Sequence, residues 1–199
     1  MAVSYIPVVV LYLVTLVLFI LLHLRGTYDP VRTAVSDYAI GPTQTLFLVD
    51  GATGGLAAAW LGALLLTDAH FPPVSGAFLL AHACFRVGVL AFPVDLEGHA
   101  ASRHGRFHYA FAVPGFVMVY LAIHTLGPAT RLMFPEAIHI TLATLETVAS
   151  VALAFVAVCL ISPLHRLFGL VERVFLLSTA LWLGGFSLAM LSLTMSSVA

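Results

Sequence analysis

His104 and His108 follow the segment Phe92-Pro93-Val94-Asp95 after a short polar stretch. Their i,i+4 spacing places both imidazoles on one face of any helix that contains them. With the Asp95 carboxylate they make two imidazoles and one acid, the ligand set of a catalytic zinc ion whose open position holds an acidified water. The plainer alternative leaves His104 and Arg103 at a membrane interface and gives His108 a hydrogen bond in the core. A second segment, Tyr28-Asp29-Pro30-Val31-Arg32 followed by Ser36-Asp37-Tyr38-Ala39-Ile40-Gly41, is too polar for an idle link. Ser36 is a candidate catalytic group there, able to bind a metal, a phosphate or a developing oxyanion, and Asp37 a candidate to orient a histidine. A helix N-cap followed by a turn at Gly41 is the structural alternative for the same residues.

The elements that must position these groups are membrane helices. Of 199 residues, 61% are hydrophobic and only 9% are Asp, Glu, Lys or Arg, against about 25% charged in a soluble domain. This excludes a soluble enzyme, a disordered chain and a disulfide scaffold. A spanning helix needs roughly 20 apolar residues, and runs of that order cover residues 5–24, 45–66, 74–92, 107–126, 138–161 and 174–193. Gly41-Pro42, Pro72-Pro73, Pro93, Gly127-Pro128, Pro135 and Ser162-Pro163 punctuate the chain between them. Pro114-Gly115 falls inside the fourth run and predicts a kink. No basic residue precedes the first run and no small-residue cleavage pattern closes it, which reads as a span and not a signal peptide. The fold expected is all-α: a polytopic six-transmembrane-helix bundle with short loops, forming one membrane domain over residues 1–199.

Arg25, Arg32, Arg103, Arg106, Arg166 and Arg173 lie in the first, third and fifth connections, and Arg131 alone in the others. The positive-inside rule therefore predicts odd connections in the cytoplasm and both termini outside, in the cell inner (plasma) membrane. Glu97, His99, His165 and Glu172 share those connections, so the reactive side chains converge on one face. The net charge of −1 provides no basic footprint for a nucleic acid, and membrane lipids are the expected partners. Cys84 and Cys159 sit in apolar stretches and read as small buried hydrophobes.

Four ionisable residues fall inside the spans: Asp50, His82, Arg86 and Glu146. Asp50 and Arg86 lie at matching depth, about 10 Å from the same face, which predicts an ion pair. Glu146 is expected to take up a proton or to find a partner, with His82 available. These residues line a polar pocket or serve as glue between helices. At the start of the sixth span, Arg173 is a candidate to hold a lipid phosphate or to anchor the helix at the headgroups, and Arg106 is a further candidate for an anionic headgroup.

The ordered set Tyr28-Asp29-Pro30, Ser36-Asp37-Tyr38-Ala39 with Gly41, Phe92-Pro93 with Asp95, His104-Gly105-Arg106 with His108, and Glu172-Arg173 with Trp182 resembles the prokaryotic membrane family called domain of unknown function 998. The likeness runs from about Arg25 to Trp182 and implies a compact helical membrane protein without naming a reaction. The chain has Phe-Pro-Val-Asp where that family pattern has Phe-Pro-Thr-Asp. The ingredients also resemble membrane hydrolases of the alkaline ceramidase and adiponectin-receptor type, which hold zinc with three histidines beside a serine and an aspartate, in a different order along the chain.

The leading expectation is a membrane-embedded, zinc-dependent hydrolase acting on a lipid or other amphipathic substrate, with Asp95, His104 and His108 on the metal. The alternatives are a b-type haem protein using His82 with His108 or His124, and a non-enzymatic lipid-binding, transport or complex subunit built on Asp50, His82, Arg86 and Glu146.

Overall fold

The computed structural model describes residues 2–95, 102–161 and 163–196. Glu97 and His99, counted above among the residues of the reactive face, lie outside them. Six helices are long and apolar enough to cross a membrane: α1 (Ala2–Arg25), α2 (Gln44–Thr67), α3 (Pro73–Ala91), α4 (Arg103–Met133), α5 (Glu136–Ile161) and α6 (Phe168–Ser196). Among the described residues all regular structure is helical, so the expected all-α membrane architecture is the one found.

The helix ends follow local chemistry. Pro73 opens α3, where a missing N–H costs nothing because the first turn has no partner for it. Ser102 caps α4, its Oγ accepting from the Gly105 N–H at 3.1 Å. The 31 residues of α4 exceed the apolar run 107–126. At 1.5 Å per residue such a helix is about 46 Å long, against a hydrocarbon layer of about 30 Å. Its surplus turns carry the exposed Arg103 and Arg106 at one end and Arg131 at the other. The helix continues through Pro114 and Pro128.

Each helix packs on its neighbours in the chain, and α6 closes the ring against α1. Helices α2 and α3 cross backbone to backbone at Gly62 and Gly76, where a Cβ on either residue would lie 2.6–2.9 Å from the other's carbonyl oxygen. The α4–α5 seam is the most open in the ring. At the end carrying the α2–α3 and α4–α5 connections, Phe186 stacks on Trp182 with centroids 5.3 Å apart and meets Phe71 and Phe134 edge-on at 5.5 and 5.8 Å. The opposite end is covered by the α1–α2 connection, whose 3-10 turn Val35–Ala39 is buried throughout.

Candidate functional site

The first turns of α6 hold the α1–α2 connection down. The Leu170 N–H donates to the Val31 carbonyl at 3.0 Å, and the Val35 N–H donates to Glu172 Oε2 at 2.6 Å. The Arg173 guanidinium donates through Nη1 to the Thr33 and Gly169 carbonyls at 2.6 and 2.9 Å, and through Nη2 to the Tyr38 hydroxyl at 3.4 Å. Arg173 Nε donates to His23 Nε2 at 2.7 Å, while His23 Nδ1–H donates to the Phe19 carbonyl at 2.6 Å. The guanidinium also sits 5.7 Å from the centroid of the Tyr38 ring. Gly169 makes this approach available, since a Cβ there would run into the Thr33 carbonyl. This revises the expected substrate role of Arg173: the residue is buried and its donors are spent inside the protein, so it clamps the connection and is not free to meet a headgroup.

The expected zinc set is also revised. Asp95 is tied to the next helix, Oδ2 accepting from the Ser102 N–H at 2.7 Å and Oδ1 from the Ser102 hydroxyl at 2.6 Å. His104 is exposed and meets Phe92 edge-on at 6.0 Å, whereas His108 is 2% exposed and donates from Nδ1 to the Phe92 carbonyl at 2.8 Å. Among the described residues no three His, Cys, Asp or Glu side chains are grouped to hold a metal, so Asp95, His104 and His108 do not assemble such a centre. The i,i+4 pair does not meet at a common centre because His108 is buried and turned to the Phe92 carbonyl, whereas His104 stays exposed. Arg106 is exposed on the first turns of α4.

Ser36 and His108 instead converge on the interior, together with Glu172. A cavity of about 110 Å3 inside the ring is bounded by α1, α2, α3, α4 and α6. A second, of about 140 Å3, lies in the α4–α5–α6 seam. The two share Ser36, His108, Ala112, Phe116 and Glu172 in their walls. Ser36, His108 and Glu172 thus form a polar waist between two mainly apolar lobes. Asp37 is buried beside Ser36 in the same 3-10 turn and lines neither lobe.

Deeper in the first lobe lie Asp50, His82 and Arg86. The expected Asp50–Arg86 ion pair is not closed. Arg86 Nε donates to the Gly51 carbonyl at 3.1 Å, and Asp50 Oδ1 is buried with no hydrogen-bond partner. The small residues of α2 leave its backbone open, so the guanidinium reaches a carbonyl in place of the acid. His82 donates from Nδ1 to the Gly115 carbonyl of α4 at 2.8 Å. It is not the partner of Glu146, whose Oε1 accepts from His124 Nδ1 at 2.9 Å on the outer side of the α4–α5 seam. Of the three histidines weighed as haem ligands, His82 and His108 line one cavity and His124 faces outward.

Sequence reasoning missed Tyr12. Its hydroxyl is buried without a hydrogen-bond partner in the wall of the first lobe. Within an uninterrupted apolar run nothing but its own phenol marks it. Glu172 was visible as one of the polar residues of the odd connections and as half of the Glu172-Arg173 pair, with no role of its own. No curated protein and no solved structure matches the chain. The family model described as Protein of unknown function (DUF998) matches residues 8–189, and the chain belongs to that family.

Proposed function

We propose that this multi-pass membrane protein takes an amphipathic, lipid-class molecule into the space between its helices, with the molecule's polar part at Ser36, His108 and Glu172. One observation carries the reading: those three residues stand in the wall common to both lobes, so polar groups lie between two apolar volumes. Apolar cavities with a few convergent polar groups are the usual form of a small-molecule site. Ala112 belongs to the same shared wall. Replacing it with tryptophan fills the junction, and lipid extracted from the detergent-purified Ala112→Trp protein should fall well below the wild-type amount. Equal lipid content in the two proteins rules the reading out.

A second reading, hydrolysis of such a lipid, is favoured by Ser36. Among the described residues its hydroxyl makes no hydrogen bond. His108, with Nδ1–H given to the Phe92 carbonyl, keeps Nε2 as the basic nitrogen of its neutral ring. A fluorophosphonate probe should label the wild type and not Ser36→Ala. Absent or equal labelling ends this reading and leaves the binding role standing.

Both readings put the end that carries Arg25, Arg32, Arg103 and Arg106 on the cytoplasmic side of the plasma membrane, by the positive-inside rule. A cysteine in place of the exposed His104, with Cys84 and Cys159 removed, should react with an impermeant maleimide only in inverted vesicles.

A further inference from the structure

We propose that Tyr12 and Asp50 form a subsite for an uncharged, hydroxyl-bearing lipid, of the long-chain alcohol or acylglycerol class. This rests on the reading that the cavity takes a lipid, and it adds a second polar position in the first lobe, apart from the one at Ser36, His108 and Glu172. Tyr12 on α1 and Asp50 on α2 are 4% and 6% exposed, and both line the first lobe. The Tyr12 hydroxyl and Asp50 Oδ1 are buried and have no hydrogen-bond partner. Buried polar atoms are nearly always paired, so two orphans in one cavity wall mark a place where something else supplies the bonds. Of the neighbouring polar groups, Arg86 gives Nε to the Gly51 carbonyl and His82 gives Nδ1 to the Gly115 carbonyl.

The chemistry of the orphans selects the ligand. An ionised carboxylate oxygen only accepts, and a phenol both donates and accepts. An alcohol supplies both complements, donating to Asp50 Oδ1 and accepting from Tyr12. The formal charges of Asp50 and Arg86 cancel within the first lobe, and that of Glu172 in its wall is offset by the adjacent Arg173. A carboxylate, phosphate or ammonium head would therefore bring an unbalanced charge into a low-dielectric interior, where desolvation is costly. The remaining wall is suited to a hydrocarbon chain, with Phe19, Phe47, Phe85, Phe111 and Phe116 around it. A buried water would satisfy the same two atoms, and the experiment separates the cases.

The test uses the full chain in phosphatidylcholine nanodiscs and hexadecanol carrying a diazirine near its hydroxyl. Photolabelling should fall on peptides of α1, α2 and α3. Unlabelled hexadecanol should compete about tenfold better than hexadecanoate or hexadecyltrimethylammonium, a difference of about 1.4 kcal/mol. Tyr12→Phe and Asp50→Leu should each reduce labelling severalfold, and Tyr12→Phe, which removes one oxygen atom, serves alone if the second variant does not fold. Labelling in the cavity that the three amphiphiles displace equally, or that both variants retain in full, overturns the subsite and leaves the cavity reading intact. An absence of displaceable labelling with any of the amphiphiles overturns the cavity reading itself.

Discussion

His82 and His108 stitch α3 and α4 together reciprocally. His82 on α3 donates from Nδ1 to the Gly115 carbonyl of α4, and His108 on α4 donates from Nδ1 to the Phe92 carbonyl at the end of α3, both at 2.8 Å. A carbonyl only accepts, so both neutral rings carry the Nδ1 proton and keep Nε2 as an acceptor. Both residues also line the first lobe, so the bonds that join the helices fix the orientation of two rings in the cavity wall.

The two stitches differ in what they leave behind. Gly115 lies inside α4, where the residue four positions on supplies a backbone donor to its carbonyl. Phe92 is the C-cap of α3, and its carbonyl lies beyond the helical ladder. His108→Ala should therefore cost about 1–3 kcal/mol of stability through an orphaned buried acceptor, and His82→Ala only about 0.5–1.5 kcal/mol. Unfolding of both variants in mixed micelles by increasing denaturing detergent gives the order, and a larger loss in His82→Ala contradicts it.

Arg173 binds the α1–α2 connection through a planar fork that reaches Thr33, Gly169, His23 and Tyr38 at once. Lysine retains the charge and loses the fork. Arg173→Lys should destabilise by roughly 2 kcal/mol, since bonds from charged donors contribute about 1.5–3 kcal/mol each and lysine recovers some of them. The loss should be local: amide exchange at Val35, bonded to Glu172, should accelerate more than exchange in the middle of α2. Uniform acceleration would assign Arg173 a global and not a clamping role.

Glycines on one helix carry opposite expectations. At Gly62 a Cβ would lie 2.9 Å from the Gly76 carbonyl oxygen, a backbone atom that shifts only if the helices part. At Gly55 the nearest atom is the Arg86 Cβ at 3.7 Å, an ordinary contact. Gly62→Ala should lower the melting temperature in detergent markedly. Gly55→Ala should leave it unchanged or raise it, because alanine favours a helix by about 1 kcal/mol over glycine. A similar fall in both would mean that α2 and α3 are not held at the Gly62–Gly76 crossing.

The bundle is legible in the sequence because the bilayer imposes a length: runs such as 45–66 and 138–161 have no other stable reading. The ends are less legible. α4 runs through Arg103 to Met133 because polar first and last turns extend a helix beyond the apolar layer without a hydropathy signal. The site was half legible. Ser36, His108 and Glu172 stood out as polar residues at one face, and the structure brings all three to one wall. The role of Asp95 was hidden because a carboxylate that caps a connection and one that binds a metal have the same spelling, and only the position of Ser102 separates them. The same holds for Arg173, since no spacing rule says which carbonyl a guanidinium meets from across the bundle.

The last prediction concerns the polar pair at the α4–α5 seam. His124 Nδ1 donates to Glu146 Oε1 at 2.9 Å, with side chains 62% and 21% exposed. Glu146 Oε2 also lies over Gly127, 2.7 Å from where a Cβ would stand. This seam is the most open in the ring, and it is also crossed by Ser150–Tyr120 at 3.2 Å and Thr130–His139 at 3.0 Å, so each polar contact should be a sizeable share of what fastens it. Interhelical polar contacts in membranes are worth about 0.6 kcal/mol on average and about 1.7 kcal/mol at most. A double-mutant cycle of His124→Ala and Glu146→Gln should give a coupling in that range, while the cycle of His82→Ala and Glu146→Gln should give none, as distant sites add. Coupling in the second cycle and not the first would move the Glu146 partner back to His82 and place the acid inside the ring.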